Sequence, residues 1–246
     1  MFGTASSSIR RQKMFELNLI CKSNSVIGVF ESHGNPVALV NEIRKYIKSH
    51  VVLSFPCKEK GVILPNTGGV VILIHKKLAS ASPDDPSYCE KSLCREIVPG
   101  RVVRVTLGQP RLQSFACVFV HNYGLTARHM SSVESMASKD MLDAAEHPHM
   151  FAATYMGDFN LQPHGELPHP LSSPTPVNRN VAPDAIVSTR PFQARWEKIF
   201  EGMIEVRFSQ NTHFNSSNNF ENRIDRVFEV MPKSNSGLTQ ALCWHL

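Results

Sequence analysis

The sequence lacks the features that mark membrane, secreted and zinc-binding proteins. Its 246 residues contain no apolar run long enough to span a bilayer, and its first residues have no apolar core of signal-peptide length. The six cysteines form no CxxC pair, which argues against a zinc site and predicts reduced thiols. We therefore expect an intracellular protein, with the nucleus left open, and we predict no membrane partner and no obligate protein partner.

The composition is that of an ordinary globular domain, with 42% apolar and 19% charged residues and no internal repeat. This length suits one domain of packed layers with loops. The net charge of +5 and the pI near 8.9 are compatible with a phosphate-rich partner such as nucleic acid, but they do not require one.

Apolar runs bounded by turn residues predict strands that mix with helices in no regular βαβ rhythm. The predicted strands cover about residues 25–30, 51–55, 70–74, 100–105, 115–120, 150–156, 204–209 and 224–230. The continuous apolar run at 70–74 predicts a strand covered on both faces. The two strands joined near Gln109-Pro110 favour antiparallel pairing.

Helices are predicted from Asn35 and Pro36 to about Lys48, over residues 126–146, and along an apolar stripe that begins at Phe192. Seven prolines between Gln162 and Pro191 predict a long irregular loop. The fold class is therefore α+β (layered α/β), with two sheets rich in antiparallel strands packed face to face and helices outside.

The tetrapeptide Gly157-Asp158-Phe159-Asn160 directly follows one of the predicted buried strands. Residues two apart in a strand point to the same face, so Asp158 and Asn160 would share the mouth of the sheet. A turn is the alternative, because Gly, Asp and Asn are common turn formers. The rest of the chain has to decide between the two.

Three further polar residues lie at predicted strand ends, and each has a structural alternative. Glu31 closes a strand and could be a solvated acid at a loop. His121 ends the apolar run 117–120 and could simply bond the backbone. Asp225 lies between Arg223 and Arg226, where a salt bridge would explain it.

Together these residues supply the parts that phosphodiester hydrolysis needs. Glu31 would bind Mg²⁺, which takes one or two carboxylates and keeps several waters, and the cation would polarise the phosphoryl oxygen. Asp158 would orient or deprotonate the attacking water. Asn160 and His121 would donate hydrogen bonds to the phosphate in the transition state.

In this order the residues resemble the endonuclease/exonuclease/phosphatase superfamily. It includes pancreatic-type deoxyribonucleases, exonuclease-like abasic-site endonucleases, inositol polyphosphate 5-phosphatases and retrotransposon endonucleases. The matching segments are VIGVFESHG (26–34), TGGVVILI (67–74), GRVVRV (100–105), FVHNYGL (119–125), MGDFN (156–160) and RIDRVF (223–228). The style of several of these segments looks most like domains attached to retroelements.

The resemblance implies a four-layered sandwich in which two central, mixed but mostly antiparallel sheets are flanked by helices. It implies Glu31 and Asp158 at the Mg²⁺ site, with Mn²⁺ as an alternative cation. His121 would take the phosphate-facing position, Asp158 and Asn160 would handle water and phosphate, and Asp225 would support the site. The domain would cover residues 21–246, after a poorly defined segment 1–20.

The chain departs from the family pattern at both ends. Residues 1–20 offer no convincing first strand with a metal-site asparagine, and no Asp precedes His245 where the family has Ser-Asp-His. Phe30 replaces a usual Gln, and Phe119 replaces a usual Asn. We therefore expect an active site that is truncated or eroded at both ends.

Three functions follow from this reading. The first is a Mg²⁺-dependent phosphodiesterase, in particular a DNA endonuclease. The second is a catalytically inactive domain of a retroelement that retains weak nucleic-acid binding, because loss of one member of a catalytic set can remove most of the rate. The third is a phosphoinositide or sphingolipid phosphoesterase, with specificity shaped by the loop 162–191.

Overall fold

The computed structural model describes residues 7–32, 34–59, 61–64, 68–79, 93–108, 114–148, 151–159, 169–170, 192–206, 213–215, 220–222 and 225–230. Its helices are α1 (Ser7–Ser23), α2 (Pro36–Tyr46), α3 (Lys76–Ala79), α4 (Ala127–Glu146) and α5 (Gln193–Phe200). The strands of its first half are β1 (Val26–Phe30), β2 (His50–Phe55), β3 (Lys58–Glu59), β4 (Val62–Ile63), β5 (Val70–His75), β6 (Cys94–Val98) and β7 (Val102–Gly108). Those of its second half are β8 (Ser114–His121), β9 (Phe151–Asp158), β10 (His169–Pro170), β11 (Ile204–Val206), β12 (His213–Asn215), β13 (Phe220–Asn222) and β14 (Asp225–Val230).

Two sheets form the centre of the molecule. Within the described residues, the smaller sheet has the order β1-β5-β2 and the larger has the order β11-β14-β9-β8-β7-β6. All neighbouring strands in both sheets are antiparallel except β8 and β9, which are parallel. A parallel pair needs a crossover, and α4 supplies it. The prediction of mixed but mostly antiparallel sheets is confirmed.

Three apolar clusters define four layers. The first cluster joins α1 and α2 to the outer face of the small sheet, through residues such as Met14 and Ile43. The second fills the space between the two sheets. The third joins the outer face of the large sheet to α4 and α5, through residues such as Tyr155 and Trp196. The helix–sheet–sheet–helix sandwich predicted from the sequence is confirmed.

Strand β5 is the central strand of the small sheet, and Val70 to Ile74 are fully buried. This explains the continuous apolar run, because each face of the strand packs into a different cluster. Helix α2 begins as predicted: the Asn35 side chain accepts hydrogen bonds from the amides of Val37 and Ala38, and Pro36 lies in the first turn. Helix α4 likewise begins after Thr126, which caps the amide of His129.

Several segments differ from the sequence prediction or lie outside it. Helix α1 was not predicted, yet its Met14 and Leu17 are fully buried. The short strands β12 and β13 were not predicted either. The predicted loop 162–191 lies outside the described residues except for β10. Within the described residues, no helix combines the length and the hydrophobicity needed to cross a bilayer.

Four cysteines lie in the described part of the chain. Cys21, Cys57 and Cys117 are buried, and Cys94 is half-buried. Burial raises the pKa of Cys21 to about 11 and that of Cys117 to about 12, so neither thiol ionises near neutral pH.

Candidate active site

The predicted polar residues gather where β1, β8, β9 and β14 end or begin. His121 is the last residue of β8, and it lies opposite Asp158, the last residue of β9, in the parallel register. Asp225 is the first residue of β14 and lies opposite Asp158 in the antiparallel register. Residues opposite each other on paired strands share a face, so the side chains of His121 and Asp158 point the same way. Asp158 as a whole residue is half-buried.

Glu31 reaches this group from the other sheet. Its Oε1 atom lies 3.8 Å from Nε2 of His121, and its side chain is 55% exposed while that of His121 is 2% exposed. The backbone of Glu31 has a φ of 55°, in the left-handed region that a glutamate rarely adopts. Such strain costs on the order of 1–3 kcal/mol and typically occurs at functional sites. The carboxylate is thus held at the mouth of the sandwich against a local conformational preference.

Arg101 lies behind the histidine. Its Nη1 atom is 2.9 Å from Nδ1 of His121, and the arginine is 7% exposed. A guanidinium group only donates hydrogen bonds, so Nδ1 must accept and carries no proton. The ring proton of neutral His121 is therefore on Nε2, the nitrogen that faces Glu31. The backbone adds to this arrangement, because the amide of His121 donates to the carbonyl oxygen of Arg101 at 2.8 Å.

Two glycines make this close approach feasible. A Cβ atom at Gly68 would lie 2.5 Å from Nη1 of Arg101 and 3.3 Å from Cε1 of His121. A Cβ atom at Gly157 would collide with the carbonyl oxygen of Val120 and would lie 2.9 Å from Cζ of Phe30. Gly157 also has a φ of 146°, which side chains disfavour. The glycine of the GDFN tetrapeptide is thus required by packing beside the strand that ends in His121.

The two aromatic departures from the family pattern lie near each other. The rings of Phe30 and Phe119 have centroids 6.5 Å apart, and Phe119 is fully buried between the sheets. A Cβ atom at Gly28 would clash with the Phe119 ring, so the backbone of β1 lies close to this ring. The Phe30 ring also lies 6.2 Å from the His121 ring. An apolar pair therefore occupies the place where the family pattern has two polar residues.

Two buried polar atoms near the site have no hydrogen-bond partner among the described residues: Oγ of Ser32 and Oδ1 of Asn122. The rest of Asn122 is firmly held, because its backbone amide donates to the carbonyl of Asp158 at 2.8 Å and its Nδ2 donates to the carbonyl of Phe159 at 2.5 Å. Leaving a buried polar atom unpaired costs about 1–3 kcal/mol, and such atoms are common places for water or ligand atoms to bind.

The structure brings together Glu31, His121 and Asp158, and it places the backbone of Asp225 next to Asp158. Asn160 lies outside the described residues, as does the C-terminal segment that contains His245. The roles predicted for these residues therefore stay predictions. Arg226 binds Glu205 at 2.8 Å. The side chain of Asp225 lies outside the described residues, so the salt bridge suggested as an alternative for it stays a prediction.

No group of three or more His, Cys, Asp and Glu side chains close enough to hold a metal ion occurs among the described residues. Mg²⁺ needs fewer protein ligands, because it uses one or two carboxylates and keeps its waters. The exposed side chain of Glu31 and the carboxylate of Asp158, a half-buried residue, meet that requirement. The residues present therefore fit a weakly ligated, oxygen-binding cation and do not fit a closed zinc-type site.

Sequence reasoning missed two residues of the site. Arg101 was part of the matched segment GRVVRV, but nothing in that segment indicated a contact with a histidine 20 residues away. Tyr123 follows His121 in FVHNYGL; its ring is nearly parallel to the His121 ring, with centroids 6.1 Å apart, and the guanidinium carbon of Arg101 lies 5.1 Å from its centroid. Arg101 directly precedes β7, and Tyr123 follows the end of β8 by two residues. This nearness to strand ends was the sequence signal that could have indicated both residues.

Comparison with solved structures supports the fold. The structure of D. rerio TDP2 in complex with single-strand DNA product is 11% identical, matches over 94% of this chain and 80% of that chain, and has a TM-score of 0.51. An AP endonuclease from Archaeoglobus fulgidus is 13% identical over 89% of this chain and 82% of that chain, with a TM-score of 0.47. No family model and no curated protein matches the sequence.

TDP2 and AP endonucleases are members of the endonuclease/exonuclease/phosphatase superfamily, and this chain shares the fold of D. rerio TDP2. At 11% identity the likeness to D. rerio TDP2 shows the shared fold alone. For this chain the resemblance seen in the sequence is thus confirmed at the level of the fold.

Proposed function

We propose that this chain is a divalent-cation-dependent phosphodiester hydrolase that acts on DNA as an endonuclease. The observation that carries the proposal is the approach of Glu31 to His121 at 3.8 Å, at the point where Asp158 lies beside His121 in register. The carboxylate of Glu31 on the small sheet therefore meets the neutral imidazole of His121 and the carboxylate of Asp158 on the large sheet. These residues are far apart in the sequence.

Glu31 would hold the cation, and Asp158 would assist it. Mg²⁺, or Mn²⁺ in its place, would polarise a phosphoryl oxygen and neutralise developing charge. Among the predicted site residues, Glu31 is the one that follows a strand of the small sheet. Its side chain is 55% exposed. This exposure suits a site in which the cation keeps water and joins the substrate.

His121 would donate a hydrogen bond to the phosphate. Arg101 fixes the proton on Nε2, and this N–H points toward the carboxylate that would hold the cation. If a cation held by Glu31 binds a phosphate oxygen, the Nε2–H of His121 would therefore already be oriented to donate a hydrogen bond to the phosphate. Pre-oriented donors of this kind stabilise charge in the transition state, and losing one costs about 100- to 1000-fold in rate.

Asp158 would orient or deprotonate the attacking water. Its position beside His121 supports this role, since the strand fixes it there. Asp225, adjacent in register, would support the same site, and Asn160 would donate to the phosphate as the family resemblance implies.

DNA is the proposed substrate for two reasons. The chain carries a net charge of +5, which favours a phosphate-rich partner. The D. rerio protein that shares the fold was solved with single-strand DNA product. An origin in a retroelement is part of the same proposal, and it rests on the sequence segments alone. An intracellular location, with the nucleus left open, stays an expectation.

A second candidate function is DNA binding without catalysis. It is favoured by the small number of acidic and histidine ligands in the described part of the site, and by Trp244 in place of the Asp that precedes the family's last histidine. This protein would bind DNA through phosphate contacts and release it as salt rises.

Nicking of supercoiled plasmid distinguishes the two. The wild-type chain should convert supercoiled to open-circular DNA with Mg²⁺ or Mn²⁺ and not with EDTA. Glu31→Gln and Asp158→Asn should each lower that rate at least about 100-fold, whereas the exposed Glu146→Gln on α4 should leave it unchanged.

Equal nicking by the wild type and Asp158→Asn, insensitive to EDTA, would contradict hydrolysis by this site. Salt-dependent DNA binding with no cation-dependent nicking would instead support the second candidate. Circular dichroism of each variant should match the wild type, because neither substitution removes apolar packing.

A further inference from the structure

We propose that Tyr123 is a stacking platform for an unpaired nucleobase next to the phosphate-binding end of the site, so that this chain prefers single-stranded or locally unpaired DNA. The inference rests on the proposed function and deepens it, because it names the form of nucleic acid that the site accepts. It is carried by the geometry of one exposed ring.

The Tyr123 ring is exposed without a structural reason to be so. It is 61% accessible, among the most exposed large apolar side chains of the described chain. Its hydroxyl has no hydrogen-bond partner among the described residues, so no polar contact accounts for its position at the surface. An aromatic ring left in water forgoes the apolar burial that would stabilise it, which is a common mark of a binding surface.

The ring nevertheless has a firm base. The Tyr123 amide donates to the carbonyl of His121 at 2.9 Å, and the preceding Asn122 is buried and bonded to Asp158 and Phe159. A ring whose backbone is fixed on this side loses little conformational freedom when a ligand stacks on it. The platform is thus formed before substrate binds.

Both known neighbours of the ring belong to the site. The ring is inclined by 19° to the His121 imidazole, with centroids 6.1 Å apart, and the Arg101 guanidinium carbon lies 5.1 Å from its centroid. The cation–π contact holds the tyrosine next to the histidine. A nucleotide whose phosphate reaches Nε2 of His121 therefore places its neighbouring base in the vicinity of the exposed ring.

Only an unpaired base can use such a platform. Bases inside a continuous duplex stack on each other and present only their edges in the grooves. A single strand, a frayed end or an extruded nucleotide presents a free face, and every base has one. The expected preference is therefore for the structural state of the DNA and not for its sequence.

Binding measurements without hydrolysis test this directly. Short single-stranded oligonucleotides that carry 2-aminopurine at one position, and blunt duplexes of the same sequence, are titrated with the whole chain in EDTA. Stacking on Tyr123 should quench the 2-aminopurine in the single strand. Tyr123→Ala should abolish the quenching and weaken single-strand binding about tenfold, while duplex binding stays within about twofold.

Matched variants separate stacking from folding. Tyr123→Phe and Tyr123→Trp keep a ring and should keep both affinity and quenching. Tyr46→Ala removes another exposed tyrosine, 46% accessible on α2, and should change neither. Thermal unfolding of Tyr123→Ala should match the wild type, since the ring is mostly in water.

Equal weakening of single-strand and duplex binding in Tyr123→Ala, or unchanged single-strand binding, would overturn the platform. Tyr123-dependent single-strand binding by a chain that cleaves nothing would support the platform while refuting the nuclease proposal. A chain that binds no DNA of either form would refute both.

Discussion

Arg101 donates a hydrogen bond from Nη1 to Nδ1 of His121 at 2.9 Å. Because a guanidinium group has no acceptor, this one contact selects the tautomer of neutral His121 with its proton on Nε2. The arginine is 7% exposed and the histidine 2% exposed, so solvent does not compete for the bond. Arg101 is thus a positioning residue: it sets what His121 presents to the mouth of the site.

Removing the Arg101 donor should allow the proton of neutral His121 to occupy either ring nitrogen. Arg101→Met leaves Nδ1 without this donor, and we expect nicking to fall about 10- to 100-fold, the typical effect of losing the partner that orients a functional histidine. Histidine side-chain ¹⁵N spectra, assigned with His121→Asn, should show an unprotonated Nδ1 in the wild type and a changed Nδ1 signal in Arg101→Met.

Arg101→Lys, which can still donate, should lose less activity and keep the wild-type Nδ1 signal. Arg128→Met removes an exposed arginine on α4 and should affect neither measurement. A protonated Nδ1 in the wild type would contradict the assigned role of Arg101.

Gly157→Ala should destabilise the fold by about 3 kcal/mol, because a Cβ atom would add a collision with the Val120 carbonyl to the cost of a φ of 146°. Gly202→Ala is the matched control. Gly202 also has a positive φ, of 88°, but nothing lies within 4 Å of its Cβ position, so only about 1 kcal/mol is expected. Urea unfolding of both variants measures the difference, and equal losses would contradict the packing explanation.

Asp140 joins α4 to the outer face of the large sheet. It is 1% exposed and accepts hydrogen bonds from Nη1 of Arg104 at 2.5 Å and from the hydroxyl of Tyr155 at 2.6 Å. Burial, and then the Asp140 charge, raise the pKa of Tyr155, so the tyrosine remains a donor. Asp140→Asn leaves Arg104 without its counter-charge and should cost about 3 kcal/mol in the free energy of unfolding.

The double variant Arg104→Met with Asp140→Leu tests the electrostatic cause. It removes both charges together and should be less destabilising than Asp140→Asn alone, since no buried charge is left unpaired. Denaturant unfolding gives both values. A double variant less stable than Asp140→Asn would show that packing, not charge pairing, explains the role of Asp140.

His50 should make stability depend on pH. The ring is 3% exposed; burial lowers its pKa below the ordinary value of 6.5, nearby His75 acts in the same direction, and the hydrogen bond to the Asn24 carbonyl opposes both. The unfolded chain therefore takes up a proton near pH 6.5 while the folded chain does not. The free energy of unfolding should be highest above pH 6.5 and fall as the pH drops below it, until the folded-state pKa is reached.

Urea unfolding between pH 7.5 and pH 5 measures this slope. His50→Gln removes the group and should flatten the curve below pH 6.5, whereas the exposed His147→Gln should retain the wild-type curve. The same slope in the wild type and His50→Gln would show that other groups cause the acid sensitivity.

The order of the elements was predictable because it is written in local patterns. Val70 to Ile74 form an unbroken apolar run, which indicated a doubly covered strand, and Asn35 with Pro36 indicated the start of α2. Helix α1 was not predicted, because the family pattern has a strand in this part of the sequence. Its apolar spacing of Met14, Leu17 and Cys21 is helical, and that side of the helix packs into the first cluster.

For the candidate site, the sequence by itself determined which functional side chains stand at strand ends: Glu31, His121 and Asp158. Strand ends follow from apolar runs, and these are local. Only the tertiary structure decided which side chains meet. The contacts of Arg101 with His121 and of Phe30 with Phe119 depend on strand register and on how two sheets face each other, and neither can be read from residues 20 or 89 positions apart. The left-handed backbone of Glu31 was likewise invisible, because it results from packing that overrides the preference of the residue.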